Sequence, residues 1–385
     1  MIPLSIPNFE GNELKYVTDA VGKGWVSTGG AYITELEKSV AEYVHVDQAV
    51  ACQSGTSALH LALMGCGVQR DELVIAPTLT FIAAVNPIRY AGADPVFMDC
   101  DDSLCMDPVK LRQFCEEECV LQDNILTHKD SGKKIRALVV VHVFGNMADM
   151  ETIMEIAETY HLRVIEDATE AIGTKYESGK YAGRYAGTIG DFGAFSFNGN
   201  KIITTGGGGM VLGRNPEELE HLRYLSTQAK DDALFYVHNE VGYNYRMTNV
   251  QAAIGVAQME LLTEFIQRKN ANYDRYCQLL KGWNEGQLLS FRERTYSNKW
   301  FYALLIPDMK KSMRELVNEL MDKGIQTRAI WGLIHEQKPY VDAIAYKIEK
   351  AKYYSSHILN LPCSTSIKDE DIETVCSILM KNINV

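Results

Sequence analysis

Apolar and polar positions follow two different periods along the chain. The stretches NELKYVTDAV (12–21) and ITELEKSVAEYV (33–44) place apolar residues every three to four positions and predict amphipathic helices. Short apolar runs bounded by turn residues, AVACQ, ELVIAP, DPVFMD, IRALVVVHV and LRVIED, predict strands, most of them followed by a helix-like run. This alternation predicts an α/β fold with a mostly parallel central sheet and helices on both faces. Two further strands are predicted in DFGAFSFNGNK and GGMVLG, on either side of a lysine and four consecutive glycines. From Thr248 to about Lys281 the helical period runs without a break until Gly282, which predicts a long connecting helix. Beyond it lies the pattern of a smaller α+β unit: KWFYALLIPD, a helix in KSMRELVNELMDKG, IQTRAIW, a helix through AYKIEKAKYYSSHI, and a terminal helix in DEDIETVCSILMKNI. The predicted division is a large domain over 1–255 and a small C-terminal domain over 256–385, joined by the helix that starts near 248.

A chain of 385 residues supports a sizeable core and room for both domains. Its 38 basic and 50 acidic residues give a formal charge of -12, which argues against a protein that binds nucleic acid through a basic face. No apolar run reaches membrane-spanning length, and the opening MIPLSIPNFEGNELKY lacks the pattern of a signal peptide, so a cytoplasmic location is expected. The nine cysteines show no paired CxxC spacing and read as free thiols of a reducing compartment; no metal site is expected.

Ligands of such sheets bind beyond the carboxyl ends of the strands, so the residues that follow each strand carry the candidate chemistry. QSGTSAL turns through Gly55 into a helix, and its exposed N–H groups beside Thr56 and Ser57 are either an anion site or an ordinary N-cap. In IEDATEA, Asp167 ends a buried strand, where it can accept a hydrogen bond from a protonated ring nitrogen or cap the next element; Glu166 should point to the opposite side. Lys201 lacks the context of a phosphate loop, which sets Lys before Ser or Thr at a helix start, and no GxGxxG follows the first strand. Three readings stay open for it: a phosphate contact, a covalent amine catalyst, or a solvated charge before a turn. The glycines after it allow close approach of the backbone and a sharp reversal.

The segments GNELKYVTDAV, SGTSALHLAL, PTLTFIAAVNPI, VHVFGNMADM, EDATEAIG, SFNGNKIITTGGGGM and GYNYRMTNVQAAIG, in this order, strongly resemble the fold-type I aminotransferases that depend on pyridoxal phosphate. Within them the chain resembles the DegT and StrS type, which acts on nucleotide sugars. The resemblance implies that pyridoxal 5'-phosphate is the cofactor, that Lys201 carries it covalently and that Asp167 pairs with its ring nitrogen. It further implies Phe81 stacked on the ring, Glu170 bordering it, and Gly55, Thr56, Ser57 and Ser196 on the phosphate. Asn244 would reach the phosphate from the second subunit of a homodimer.

The family usually reads TTGEGG after the lysine, and Gly207 here replaces the acid. With SFNGNK and TRAIW, this makes the chain look more like the branch acting on precursors of bacillosamine and legionaminic acid. That branch implies amine transfer from L-glutamate to C4 of a sugar similar to UDP-2-acetamido-2,6-dideoxy-hexos-4-ulose, in two half-reactions. Trp25, Ser27, Thr28, Arg328 and Trp331 would line the sugar-nucleotide side, although Trp25 fits core packing equally well. The alternatives are another keto sugar (GDP-linked 4-keto or dTDP-linked 3-keto), a dehydratase with the same cofactor, a regulatory protein without turnover, and an α/β oxidoreductase. Related dehydratases carry histidine at the position of Lys201, which favours transfer over dehydration.

Overall fold

The computed structural model of the chain describes residues 1–382. The largest sheet runs Ala49–Cys52, Gly209–Gly213, Phe192–Ser196, Arg163–Asp167, Lys134–Val141, Leu73–Pro77, Asp94–Met98 and Ile344–Tyr346. From Phe192–Ser196 to Ile344–Tyr346 every neighbouring pair is parallel, whereas Gly209–Gly213 is antiparallel to both of its neighbours. Helices cover both faces, which is why Leu73–Pro77 and most of Lys134–Val141 are buried runs rather than alternating ones. The carboxyl ends of Arg163–Asp167, Phe192–Ser196, Lys134–Val141 and Leu73–Pro77 lie along one edge. The turn into helix Gly55–Gly65 joins them there, because the reversed strand packs on it: a Cβ at Gly209 would sit 2.5 Å from the Ser54 carbonyl carbon.

The helix Asn249–Leu279 starts on a capping box in which Thr248 Oγ1 accepts from Gln251 N and the Gln251 side chain accepts from Thr248 N. It ends before Gly282, whose φ of +84° stops the helical path. Beyond it, an antiparallel sheet runs Gln287–Leu288, Tyr302–Leu305, Ile358–Leu361 and Arg328–Ala329. Helices Met313–Asp322 and Asp369–Asn382 form as expected; position 383, the end of the predicted terminal segment, lies outside the described residues.

The structure differs from expectation in three places. The helix expected through AYKIEKAKYYSSHI is only Lys350–His357, and the preceding Ile344–Tyr346 is a parallel edge strand of the large sheet. Asp99 decides this, since its buried carboxylate accepts from the N–H groups of Glu349, Lys350 and Ala351 and from Lys110, fixing the helix start at that point. The strand Ile358–Leu361 then begins at Ile358, the last residue of the segment read as helix. A hairpin of Cys119–Gln122 and Ile125–His128 was not expected; its signal was Asp123-Asn124, both at positive φ, as a tight two-residue hairpin turn requires.

Candidate active site

Lys201 lies in the loop between the antiparallel strands Phe192–Ser196 and Gly209–Gly213. The loop is closed on itself by Phe197 N donating to Gly208 O (2.9 Å) and Thr205 N to Phe197 O (2.9 Å). The lysine side chain is only 12% exposed, with Nζ 3.6 Å from Glu170 Oε1 and 4.0 Å from the centroid of the Trp300 ring. Trp300 is held in place from several sides. It stacks on Phe301 at 4.0 Å, its Nε1 donates to Asn200 O (2.8 Å), and its carbonyl accepts from the buried Lys269 Nζ (2.6 Å). The amine therefore sits in a confined niche between a carboxyl group and an indole face, not in solvent.

Glu170 is buried, and burial pushes its carboxyl up to about 7 while the Lys201 charge pulls the other way. Its Oε2 accepts from Phe144 N (2.8 Å), an N–H turned toward it by a φ of +57° at Phe144. Asp167 is buried too, accepts from Thr169 N (3.1 Å), and forms no ion pair among the described residues. Burial pushes its carboxyl up, with the hydrogen bonds to Thr169 and the nearby Lys201 opposing. Glu166 points the other way, as the alternation of strand side chains requires. It accepts from His142 Nε2 (2.9 Å) and from Gly187 N, Ile189 N and Gly190 N, and so holds the layer beneath the site.

These groups open into a cavity of about 640 Å³ lined by Lys201, Asp167, Glu170, Ser196, Gly55 and Thr56 among others. At its inner end the helix Gly55–Gly65 begins with Ser54 as N-cap, Oγ accepting from Ser57 N (3.1 Å) and lying 2.8 Å from Ser57 Oγ. The cap leaves the first N–H groups of the helix to a ligand. A Cβ at Gly55 would come 2.8 Å from Ser196 Cβ, so glycine is what lets backbone and Ser196 hydroxyl converge on one point. Gly207 differs from its neighbours: a Cβ there would meet nothing closer than 3.7 Å, so backbone crowding does not demand glycine. Its absent side chain leaves this part of the cavity wall without an acid in addition to Asp167 and Glu170.

The structure thus brings together Lys201, Asp167, Glu170, Ser196, Gly55, Thr56 and Phe81, and places Arg328 and Trp331 on the outer wall. Ser57 is buried behind Ser54 and does not line the cavity. Trp25, Ser27 and Thr28 are exposed and stand outside the cavity, because their loop is tied to the start of the long helix: Asn249 N donates to Ser27 O and Asn249 Nδ2 to Trp25 O (both 2.6 Å). Asn244 is likewise exposed and outside it. Sequence reading passed over Ser54, Phe144, Trp300 and Asn360, all of which line the cavity. Ser54 had a signal, as the residue before Gly-Thr at a helix start. Asn360 comes from the second sheet and Trp300 from the segment that leads into its strand Tyr302–Leu305, and only packing brings them here.

A pyridine ring bearing a phosphate fits this set. Asp167 is a buried carboxyl group with no ion-pair partner among the described residues, the Gly55–Ser196 convergence forms a cradle closed to any larger side chain at position 55, and a sheltered amine stands in the same cavity.

Comparison with known proteins agrees. The chain matches the DegT/DnrJ/EryC1/StrS aminotransferase family over residues 7–380. It is 36% identical over 378 residues to a GDP-perosamine synthase of Escherichia coli O157:H7, covering 97% of this chain and 96% of that one. It is 28% identical over 389 residues to a UDP-4-amino-4,6-dideoxy-N-acetyl-beta-L-altrosamine transaminase of Campylobacter jejuni, covering 99% and 98%. The crystal structure of a DegT DnrJ EryC1 StrS aminotransferase from Brucella abortus superposes with a TM-score of 0.87 at 25% identity, over 97% of this chain and 96% of that one.

Proposed function

The chain belongs to the DegT/DnrJ/EryC1/StrS aminotransferase family and is a pyridoxal-phosphate-dependent transaminase; from this premise we propose that it moves the amino group of L-glutamate to the C4 keto group of a nucleotide-linked 4-keto-6-deoxy sugar. The first reading of that sugar is UDP-2-acetamido-2,6-dideoxy-hexos-4-ulose, an intermediate type of bacillosamine and legionaminic acid synthesis. The observation that carries the reading is the sheltered Lys201 amine between Glu170 and Trp300, in one cavity with the unpaired Asp167.

When bound, pyridoxal phosphate supplies an electron sink for the pair left behind as a proton leaves the carbon that bears the amine. Lys201 would hold it covalently at rest. When free, its Nζ would take the proton from the amino-acid carbon and pass it on within the site, and in the second half-reaction would carry a proton the opposite way, to the sugar C4. Asp167 would keep the ring nitrogen protonated by a charge-assisted hydrogen bond, which also removes the cost of its own burial. Gly55, Thr56 and Ser196 would hold the phosphate at the helix start, with Ser57 behind them positioning the Ser54 N-cap. Phe81 would cover one face of the ring, and Glu170 would border it. Arg328 would meet an anionic group of substrate and Trp331 would flank the sugar.

We further propose a cytoplasmic homodimer with shared sites, in which Asn244 of one subunit completes the phosphate site of the other and Trp25, Ser27 and Thr28 act across the interface. The exposed apolar side chains of Leu234, Phe235, Tyr236 and Val241, next to Asn244, support such an interface. A GDP-linked 4-keto sugar is the second reading, favoured by the 36% identity to a GDP-perosamine synthase. Assays of the purified enzyme with UDP- and GDP-linked 4-keto-6-deoxy sugars, with and without a 2-acetamido group, each with glutamate, decide between them. Inertness toward every 4-keto sugar would refute both.

A further inference from the structure

Asn360 is polar at the centre of Ile358–Leu361, a strand whose other residues are all buried and apolar. Its backbone is paired on one side with Ala303 and on the other with Arg328. The residue is 2% exposed and lines the active-site cavity, yet its Oδ1 is buried with no hydrogen-bond partner among the described residues. Buried amides are normally satisfied, and an unsatisfied one is kept only where something else completes it. No purely structural role calls for it, since an apolar side chain of similar size would fill the same space without stranding an acceptor.

We propose that Asn360 determines substrate specificity by accepting a hydrogen bond from a neutral donor on the sugar ring, a hydroxyl or an amide N–H. The inference rests on the keto-sugar reading above and adds a recognition residue to it. An amide oxygen accepts only, so carboxylates and phosphates, which are themselves acceptors, are poor partners for it. The guanidinium of Arg328 on the adjoining strand meets those anions instead. Neighbouring positions of one sheet thereby divide the work, a cation for the charged part of substrate and an amide for the ring. Asn360 reads a group that L-glutamate does not possess in that place, so the two half-reactions should depend on it unequally.

The test uses the holoenzyme and follows the two half-reactions separately by cofactor absorbance, with Asn360→Leu and, as a smaller second variant, Asn360→Ala. The glutamate half-reaction should stay within about twofold of wild type, while kcat/KM for the keto sugar falls by roughly 10- to 100-fold, mainly through KM. Keto sugars with the C2 substituent or the C3 hydroxyl replaced by hydrogen identify the donor. The one that loses it should react equally slowly with wild type and with Asn360→Leu. Thermal unfolding of Asn360→Leu should be unchanged or raised, because the stranded acceptor is gone. A lowered unfolding temperature with both half-reactions depressed alike would make Asn360 a structural residue and overturn the proposal, as would unchanged sugar kinetics. If wild type itself fails to return its amine to any keto sugar, the functional reading falls and this inference with it.

Discussion

Lys201 shows how much of a residue's chemistry comes from its surroundings. A loop lysine is ordinarily a solvated charge, but here the indole of Trp300 and the carboxyl of Glu170 confine it to a niche that is 12% exposed on the lysine side. Lys201→Ala should lower transamination by at least about 10³-fold, measured as 2-oxoglutarate release, and borohydride should no longer fix the cofactor to the chain. Glu170 carries a pH signature. Its pKa rises from 4.5 unfolded to about 7 folded, so between those values the folded state binds a proton that the unfolded state does not. Its contribution to stability is therefore fully present below pH 4.5 and is lost as pH rises through about 7, a change of the order of 3 kcal/mol. In urea titrations of the cofactor-free protein, Glu170→Gln should remove that share of the decline, leaving the variant relatively more stable at about pH 8 than at about pH 5. An identical pH slope in variant and wild type would contradict the assignment.

Among the elements, the glycine-rich turn separates into parts with different tolerances. Gly209→Ala forces a Cβ to within 2.5 Å of the Ser54 backbone and should cost at least about 1–3 kcal/mol while loosening cofactor binding. Gly207→Ala brings a Cβ no closer than 3.7 Å to Gln251 Nε2, an ordinary contact, and should fold within about 0.5 kcal/mol of wild type, with any effect confined to substrate kinetics. The long helix depends on its start: Thr248→Ala removes the cap and should lower stability by about 1 kcal/mol in chemical denaturation. The same Gln251 that completes the capping box donates from Nε2 to Gly207 O (2.8 Å), so this cap and the catalytic loop share a residue. Cofactor affinity should fall with Thr248→Ala more than its stability loss alone predicts. Elements were legible where local pattern and tertiary environment agreed. They were misread at the two ends of the run 345–358, which was cut by Asp99 anchoring the helix start at Glu349 and by the pairing of Ile358–Leu361 with Tyr302–Leu305.

At the scale of the molecule, the cavity joins the ends of a parallel sheet to one face of an antiparallel sheet more than a hundred positions later in sequence. If Asn244 completes the site of a second subunit, mixing refolded Lys201→Ala and Asn244→Ala chains should restore activity that neither has alone. Random pairing would give about a quarter of the wild-type value, since half the dimers then carry one intact site. No recovery in mixed dimers verified by native mass spectrometry would place Asn244 outside the shared site.

Local pattern in the chain specifies the alternation of strands and helices and the chemistry-bearing residues at the strand ends. Hydrophobic period and local turn chemistry act over a few residues and are written there directly. Local pattern also marked Asp167, Lys201 and the SGTS turn as candidates, because each lies beside a strand it predicts, while Glu170 and the role of Lys201 came from the family resemblance. The company those residues keep comes from the three-dimensional packing alone: Trp300 over the lysine, Ser54 rather than Ser57 on the cavity wall, and Asn360 beside Arg328. Asn360 stands on a different sheet and Trp300 just before one of its strands, and no local pattern encodes which face of one sheet will meet which end of another. That choice belongs to packing, which is settled by the shapes of both surfaces at once.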